Sequence, residues 1–163
     1  MVNKNKFSSA WYALNAALLL LLGSGLNGCD RGAGEEVGVA RKFADAVTRN
    51  DSARRDPMIA TQKFKDYFTN PYVAHDMLAW FRSFYDYKAG RFLGAADADV
   101  DRNLTTDLEG ALLDTAHIEE TGMVKVESPN AGEDAAFFWM VRQEGKPWRV
   151  AIVTKGEAEV NFR

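Results

Sequence analysis

The chain has a single cysteine, Cys29, and it stands directly behind an apolar run. That placement divides the 163 residues into a leader and a remainder before any fold is considered. Lys4 and Lys6 give a short positive start. Trp11 to Leu22 is apolar apart from Asn15, and Gly23-Ser24-Gly25 then breaks the helix. A membrane-crossing helix needs about 20 apolar residues, and this run is clearly shorter. Positive start, apolar middle and small-residue exit are the three parts of a secretory signal peptide, which we expect over residues 1–28. The fold must then come from the remainder, and no disulfide within the chain can hold it.

Leu26-Asn27-Gly28-Cys29 resembles the lipobox of bacterial lipoproteins, an aliphatic residue and a small one, then Gly or Ala and Cys. Asn27 stands where Ser, Thr, Ala or Val is usual. The resemblance implies cleavage before Cys29, a diacylglycerol group on its thiol, and often a further acyl chain, such as palmitate, on its amine. Two or more chains anchor a protein stably where one is marginal. It implies a protein of the bacterial cell envelope that faces the periplasm and is held to the membrane through Cys29. Asp30, next to the cysteine, resembles an inner-membrane retention signal of enteric lipoproteins.

Removing the leader takes Lys4 and Lys6 with it, so the remainder is more acidic than the formal charge of −3 of the whole chain. That balance, with no Lys/Arg run, argues against a nucleic-acid partner. The length suits one domain with one core. Ten Phe, five Tyr and four Trp supply apolar bulk that disulfides would otherwise have to replace.

Residues 29–38 are rich in glycine and read as a flexible tether. Val39, Ala40, Phe43, Ala44 and Val47 recur at helical spacing, so a first helix is expected over 39–50. Asp56-Pro57 and Asn70-Pro71 are helix starts, because the side-chain oxygen caps free N–H groups and proline fits the first helical position. The helix after Pro71 is expected to run to about Lys88, apolar over more than half its circumference and therefore central and buried. Residues 95–103 are acidic and aperiodic. From His117 the period changes to alternation and dense β-branched and aromatic residues, in 117–120, 123–127, 135–144 and 148–155. Thr121-Gly122 reads as a kink, and Glu144-Gly145-Lys146-Pro147 as a tight hairpin. Trp148, Val150 and Ile152 are expected on one face of the last strand. Residues 156–163 read as a polar tail.

Helices first and antiparallel strands afterwards predict an α+β fold for residues 39–155, with N-terminal helices packed on a curved antiparallel sheet of three to four strands. This order, ending in Gly145-Lys146-Pro147-Trp148-Arg149-Val150, resembles the nuclear transport factor 2-like (cystatin-like) cone. Small bacterial lipoproteins of unknown function end in a similar hairpin, with Pro147 here as an insertion. The resemblance implies helices and a bent sheet that often enclose an apolar pocket.

Tyr72, Trp80, Phe84, Tyr85 and Trp139 are the candidates for lining such a pocket, since Tyr and Trp join an apolar body to a polar tip. The alternative is that these aromatics are core. Asp97, Asp99, Asp101 and Asn103 alternate as in a calcium loop, but Arg102 replaces the turn glycine and Leu108 stands where the closing glutamate belongs, so a solvated acidic loop is the expected reading. His75 and Asp76 diverge by about 100° on a helix and make no natural pair. No nucleophile setting, phosphate-binding glycine pattern, zinc set or cofactor motif stands in the sequence. The expected role is a non-catalytic binding module for a small apolar ligand or an envelope protein. The rivals are an assembly or adaptor subunit of an envelope or secretion complex, and an isomerase- or dehydratase-like enzyme, for which Asp86 or His75 would have to enter the cone.

Overall fold

The computed structural model describes residues 34–99, 108, 110–130 and 134–156. Among these residues four α-helices come first: α1 (Glu35–Thr48), α2 (Ser52–Arg55), α3 (Gln62–Thr69) and α4 (Pro71–Phe84), with a 3₁₀ turn at Asp56–Met58. A two-stranded hairpin, β1 (Tyr85–Asp86) and β2 (Arg91–Phe92), follows. β3 (Ala96–Asp99), β4 (Ile118–Val126), β5 (Ala136–Gln143) and β6 (Arg149–Lys155) then form an antiparallel sheet in the order β3-β4-β5-β6. The fold is α+β. No helix among the described residues is long and apolar enough to cross a membrane.

Helix α1 begins at Glu35, inside the stretch expected to be tether. Glu35 and Glu36 occupy its first turn, where a carboxylate complements the positive end of the helix dipole. Asp56-Pro57 starts only the 3₁₀ turn, and the chain then extends through Ile59–Thr61 before α3. Thr61 makes that break: its hydroxyl accepts from the Phe64 N–H at 3.3 Å and donates to the Ala151 carbonyl at 2.6 Å. Asn70-Pro71 does start α4, with the Asn70 side chain accepting from the N–H groups of Tyr72 and Val73.

Helix α4 ends at Phe84 and not near Lys88, because Tyr85 is already extended and pairs with Phe92. The Asp86 carboxylate accepts from the N–H groups of Lys88 and Ala89 and closes the turn between β1 and β2. Only Phe81 and Phe84 of α4 are buried; its first half lies on the surface.

Strand register assigns the two faces of the sheet. Phe138 lies opposite Val124 and Val153, and Met140 opposite Gly122 and Val150. This is the helix-covered face. Phe138 meets Phe81 and Phe84 of α4 edge-on at 5.9 and 6.0 Å, and Phe43 of α1 joins Phe64 and Phe81. Phe137, Trp139 and Val141 point the other way and are buried too, so β5 is apolar on both faces, as a mid-sheet strand should be.

Two expectations about the sheet change. The pairing through Thr121-Gly122 is regular, and the irregularity falls between Ile118 and Glu120. Ile152 pairs with Trp139 while Val150 pairs with Met140, so Val150 and Ile152 lie on opposite faces. The extra residue, Ala151, bulges where Ile59–Thr61 docks: Ala60 N–H donates to the Val150 carbonyl at 2.8 Å, next to the Thr61 bond to Ala151. Such bulges bend a strand and increase its twist.

The acidic stretch also resolves differently. Asp97 and Asp99 sit in the edge strand β3, opposite Lys125 and Met123, and extended backbone does not wrap carboxylates around a cation. Asp101, Arg102 and Asn103 lie outside the described residues. The approach to β3 is tight: a Cβ on Gly94 would lie 1.9 Å from the Glu127 carbonyl oxygen.

Candidate functional site

The space between α4 and the sheet is filled by the Phe81, Phe84, Phe92 and Phe138 rings, and a cleft lies at its edge. This open cleft of about 530 Å³ has α4 as one wall and the start of β5 and end of β6 as the other. Asp76, Ala79, Trp80 and Ser83 supply the helical wall at i, i+3, i+4 and i+7 spacing, with Phe84 beside them. Ser128, Asp134, Ala136 and Lys155 supply the opposite wall. Trp80 packs edge-on against Phe84 at 5.2 Å, and the Lys155 ammonium lies 5.6 Å from the Trp80 ring centre. A cation over an indole face is attracted by its negative quadrupole. The cleft therefore offers an aromatic wall with two carboxylates, one ammonium and two hydroxyls around it.

Of the five aromatic candidates, Trp80 and Phe84 meet in this cleft. Tyr85 is buried and reaches a separate groove beside α1. Burial, then the Asp45 carboxylate, pushes its phenol up to about 12. Tyr72 is 82% exposed at the start of α4. Trp139 lies on the other face of the sheet, where its indole N–H donates to the Thr154 hydroxyl at 2.9 Å.

The acid–base candidates also separate. Asp86 is tied to its own turn; the Ala89 and Lys88 N–H groups hold its carboxyl below the ordinary carboxylate range. His75, on α4, and His117, just before β4, are both exposed. No cluster of three or more His, Cys, Asp or Glu able to hold a metal occurs among the described residues.

A polar clasp over the far face of the sheet has no signature in the sequence. Asp114 accepts from Gln143 at 2.6 Å and pairs with Lys146 at 2.7 Å and Arg149 at 2.9 Å. Lys146, then Arg149, draw its carboxyl down to about 2, against the opposing cost of burial. Ser128, Asp134 and Lys155 likewise carry no local signal, because they reach the cleft from strand ends remote from α4. The stripe Asp76, Ala79, Trp80, Ser83 was the available signal. No protein-family model, curated protein or solved structure matches the chain.

Proposed function

We propose that the chain is a lipid-anchored domain of the bacterial envelope, held through acyl groups on Cys29 and facing the periplasm, that binds an apolar or amphipathic small molecule without transforming it. In the same reading the domain is a cystatin-like cone of the nuclear transport factor 2 type. The leader with Leu26-Asn27-Gly28-Cys29 supports the anchor. The helical layer over a sheet bent by the bulge at Ala151 supports the cone.

One observation carries the binding role: the half-buried Trp80 ring, backed edge-on by the buried Phe84, faces an open cleft between polar groups of two separate elements. Aromatic walls with a few polar groups at the edge are what small-molecule sites use for affinity and orientation. An apolar ring or chain would lie along Trp80, with its polar end towards Asp76 or Asp134.

Titration with N-phenyl-1-naphthylamine, an uncharged aromatic probe, tests the cleft. Saturable fluorescence enhancement is expected, with at least about tenfold weaker binding in Trp80→Ala. Equal binding in wild type and variant refutes the site. The mass of the native N-terminus tests the anchor independently: an acylated Cys29 is expected, and its loss in Cys29→Ser.

A further inference from the structure

A second concavity, on the opposite side of Tyr85 from the aromatic core, has different chemistry. It is a groove of about 740 Å³ between α1 and the segment running from α2 into the 3₁₀ turn. Arg41, Asp45 and Arg49 line it at i, i+4 and i+8 along α1, with Lys42 beside them and Arg54 opposite. Among the residues that line it, four cations thus face one carboxylate, with Asp51 pairing with Arg54 at 3.5 Å from outside the lining, in a chain whose formal charge is −3. A local reversal of sign within a low-dielectric cleft concentrates counter-ions of the opposite charge.

The one carboxylate is already engaged. Asp45 pairs with the Arg49 guanidinium at 2.8 Å and accepts from the Tyr85 hydroxyl at 3.5 Å. Arg49 also donates to the Tyr87 carbonyl at 2.7 Å, so its position is braced from two elements. A braced guanidinium loses little entropy on binding an anion, and its planar fork matches phosphate oxygens. Lys42 and Arg54 are exposed on opposite sides of the opening. The base between them is apolar: Pro57, Met58 and the buried Tyr85 ring. A free inorganic anion would leave that base unused. A molecule with both an anionic head and an apolar body uses both.

We propose that this groove binds a phosphate-headed anionic amphiphile, of the class of acidic phospholipids. The head lies among Arg41, Lys42, Arg49 and Arg54, and the first part of the apolar chain covers Pro57 and Met58. The site is separate from the Trp80 cleft and does not depend on acylation of Cys29.

The test uses the full-length protein in a non-ionic amphipol, titrated calorimetrically with dihexanoylphosphatidylglycerol, dihexanoylphosphatidylcholine and inorganic phosphate. The anionic lipid should bind at least about tenfold more tightly than either of the others. Raising salt from about 50 to about 500 mM should weaken it, since exposed charges are screened over a shorter distance. The double variant Lys42→Glu/Arg54→Glu should lose at least about tenfold for the anionic lipid, with an unchanged far-ultraviolet dichroism spectrum. Lys65→Glu, outside the groove, should leave binding unchanged. Equal affinity for phosphate or for phosphatidylcholine overturns the proposal, as does undiminished binding in the double variant. N-phenyl-1-naphthylamine binding measured on the same variant separates failure of this groove from failure of the aromatic cleft.

Discussion

Replacing Asp114 with Asn isolates what one carboxylate contributes to the fold. Asn keeps the shape and can still accept from the Gln143 amide. It removes the charge that faces Lys146 at 2.7 Å and Arg149 at 2.9 Å. The carboxyl titrates at about 2 in the folded chain against an ordinary 3.8. That difference of a little under two units corresponds to at most about 2.5 kcal/mol. The Asp114 and Lys146 side chains are 31% and 37% exposed, so solvent screens the pair, and about 1–2 kcal/mol is the expected loss at neutral pH. For a domain of this length the loss should appear as a drop in Tm of about 3–8 °C. The folded value lies below the unfolded one, so the contribution is complete above about pH 5 and disappears as pH falls towards 2. Only about 0.4 kcal/mol should then separate wild type from Asp114→Asn at pH 2. Urea unfolding followed by circular dichroism at pH 7, 4 and 2 measures this. A gap that stays constant across that range would show that the charge on Asp114 is not what the clasp uses.

Trp139→Ala should cost about 3–5 kcal/mol, because removing a large side chain only 9% exposed leaves a cavity between Met123 and Ile152; urea midpoints report it, and a loss below about 1 kcal/mol contradicts the register. Gly94→Ala should cost about 1–3 kcal/mol, since the new methyl group meets the Glu127 carbonyl and the backbone must move; an unchanged midpoint means that the approach to β3 is looser than described. One tyrosine should ionise late in an absorbance titration at alkaline pH, with Tyr85 at about 12, and Tyr85→Phe should abolish that late step. Because the folded Tyr85 value is the raised one, its contribution to stability is present below about pH 10 and lost as pH climbs towards 12.

The order of elements was legible because period carries it. Phe43 and Val47 repeat with the helix, Phe137 and Trp139 alternate with the strand, and Asn70-Pro71 and Gly145 punctuate where local chemistry requires it. Gly145 has φ +69, which the tight turn needs. Strands β1 and β2, of two residues each, are too short for any period to register. Strand β3 has the composition of a loop, Ala-Asp-Ala-Asp, and is a strand only because β4 offers it a partner. The phase slip in β6 likewise has its cause elsewhere, at Thr61, ninety positions away from the carbonyl it binds. Local sequence cannot hold information that another segment supplies.

The same reasoning explains why one wall of the cleft was visible and the other was not. Trp80 and Phe84 are four apart on α4, so helical geometry alone puts them together, and the i, i+3, i+4, i+7 stripe adds Asp76 and Ser83. Nothing in that geometry selects Asp134 or Lys155. They arrive because β5 begins and β6 ends at the same edge of the sheet, which follows from antiparallel pairing of Ala136 with Lys155. The pairing places the Lys155 ammonium over Trp80, where it competes with any ligand for the same indole face. A ligand of the cleft must therefore displace a cation–π contact worth about 0.5–1 kcal/mol at an exposed site. Lys155→Met removes that competitor while keeping an unbranched side chain one atom shorter. If the cleft works through the Trp80 face, this variant should bind N-phenyl-1-naphthylamine about two- to fivefold more tightly than wild type. Weaker binding would mean that Lys155 contacts the ligand directly and that the Trp80 face is not what the apolar body uses.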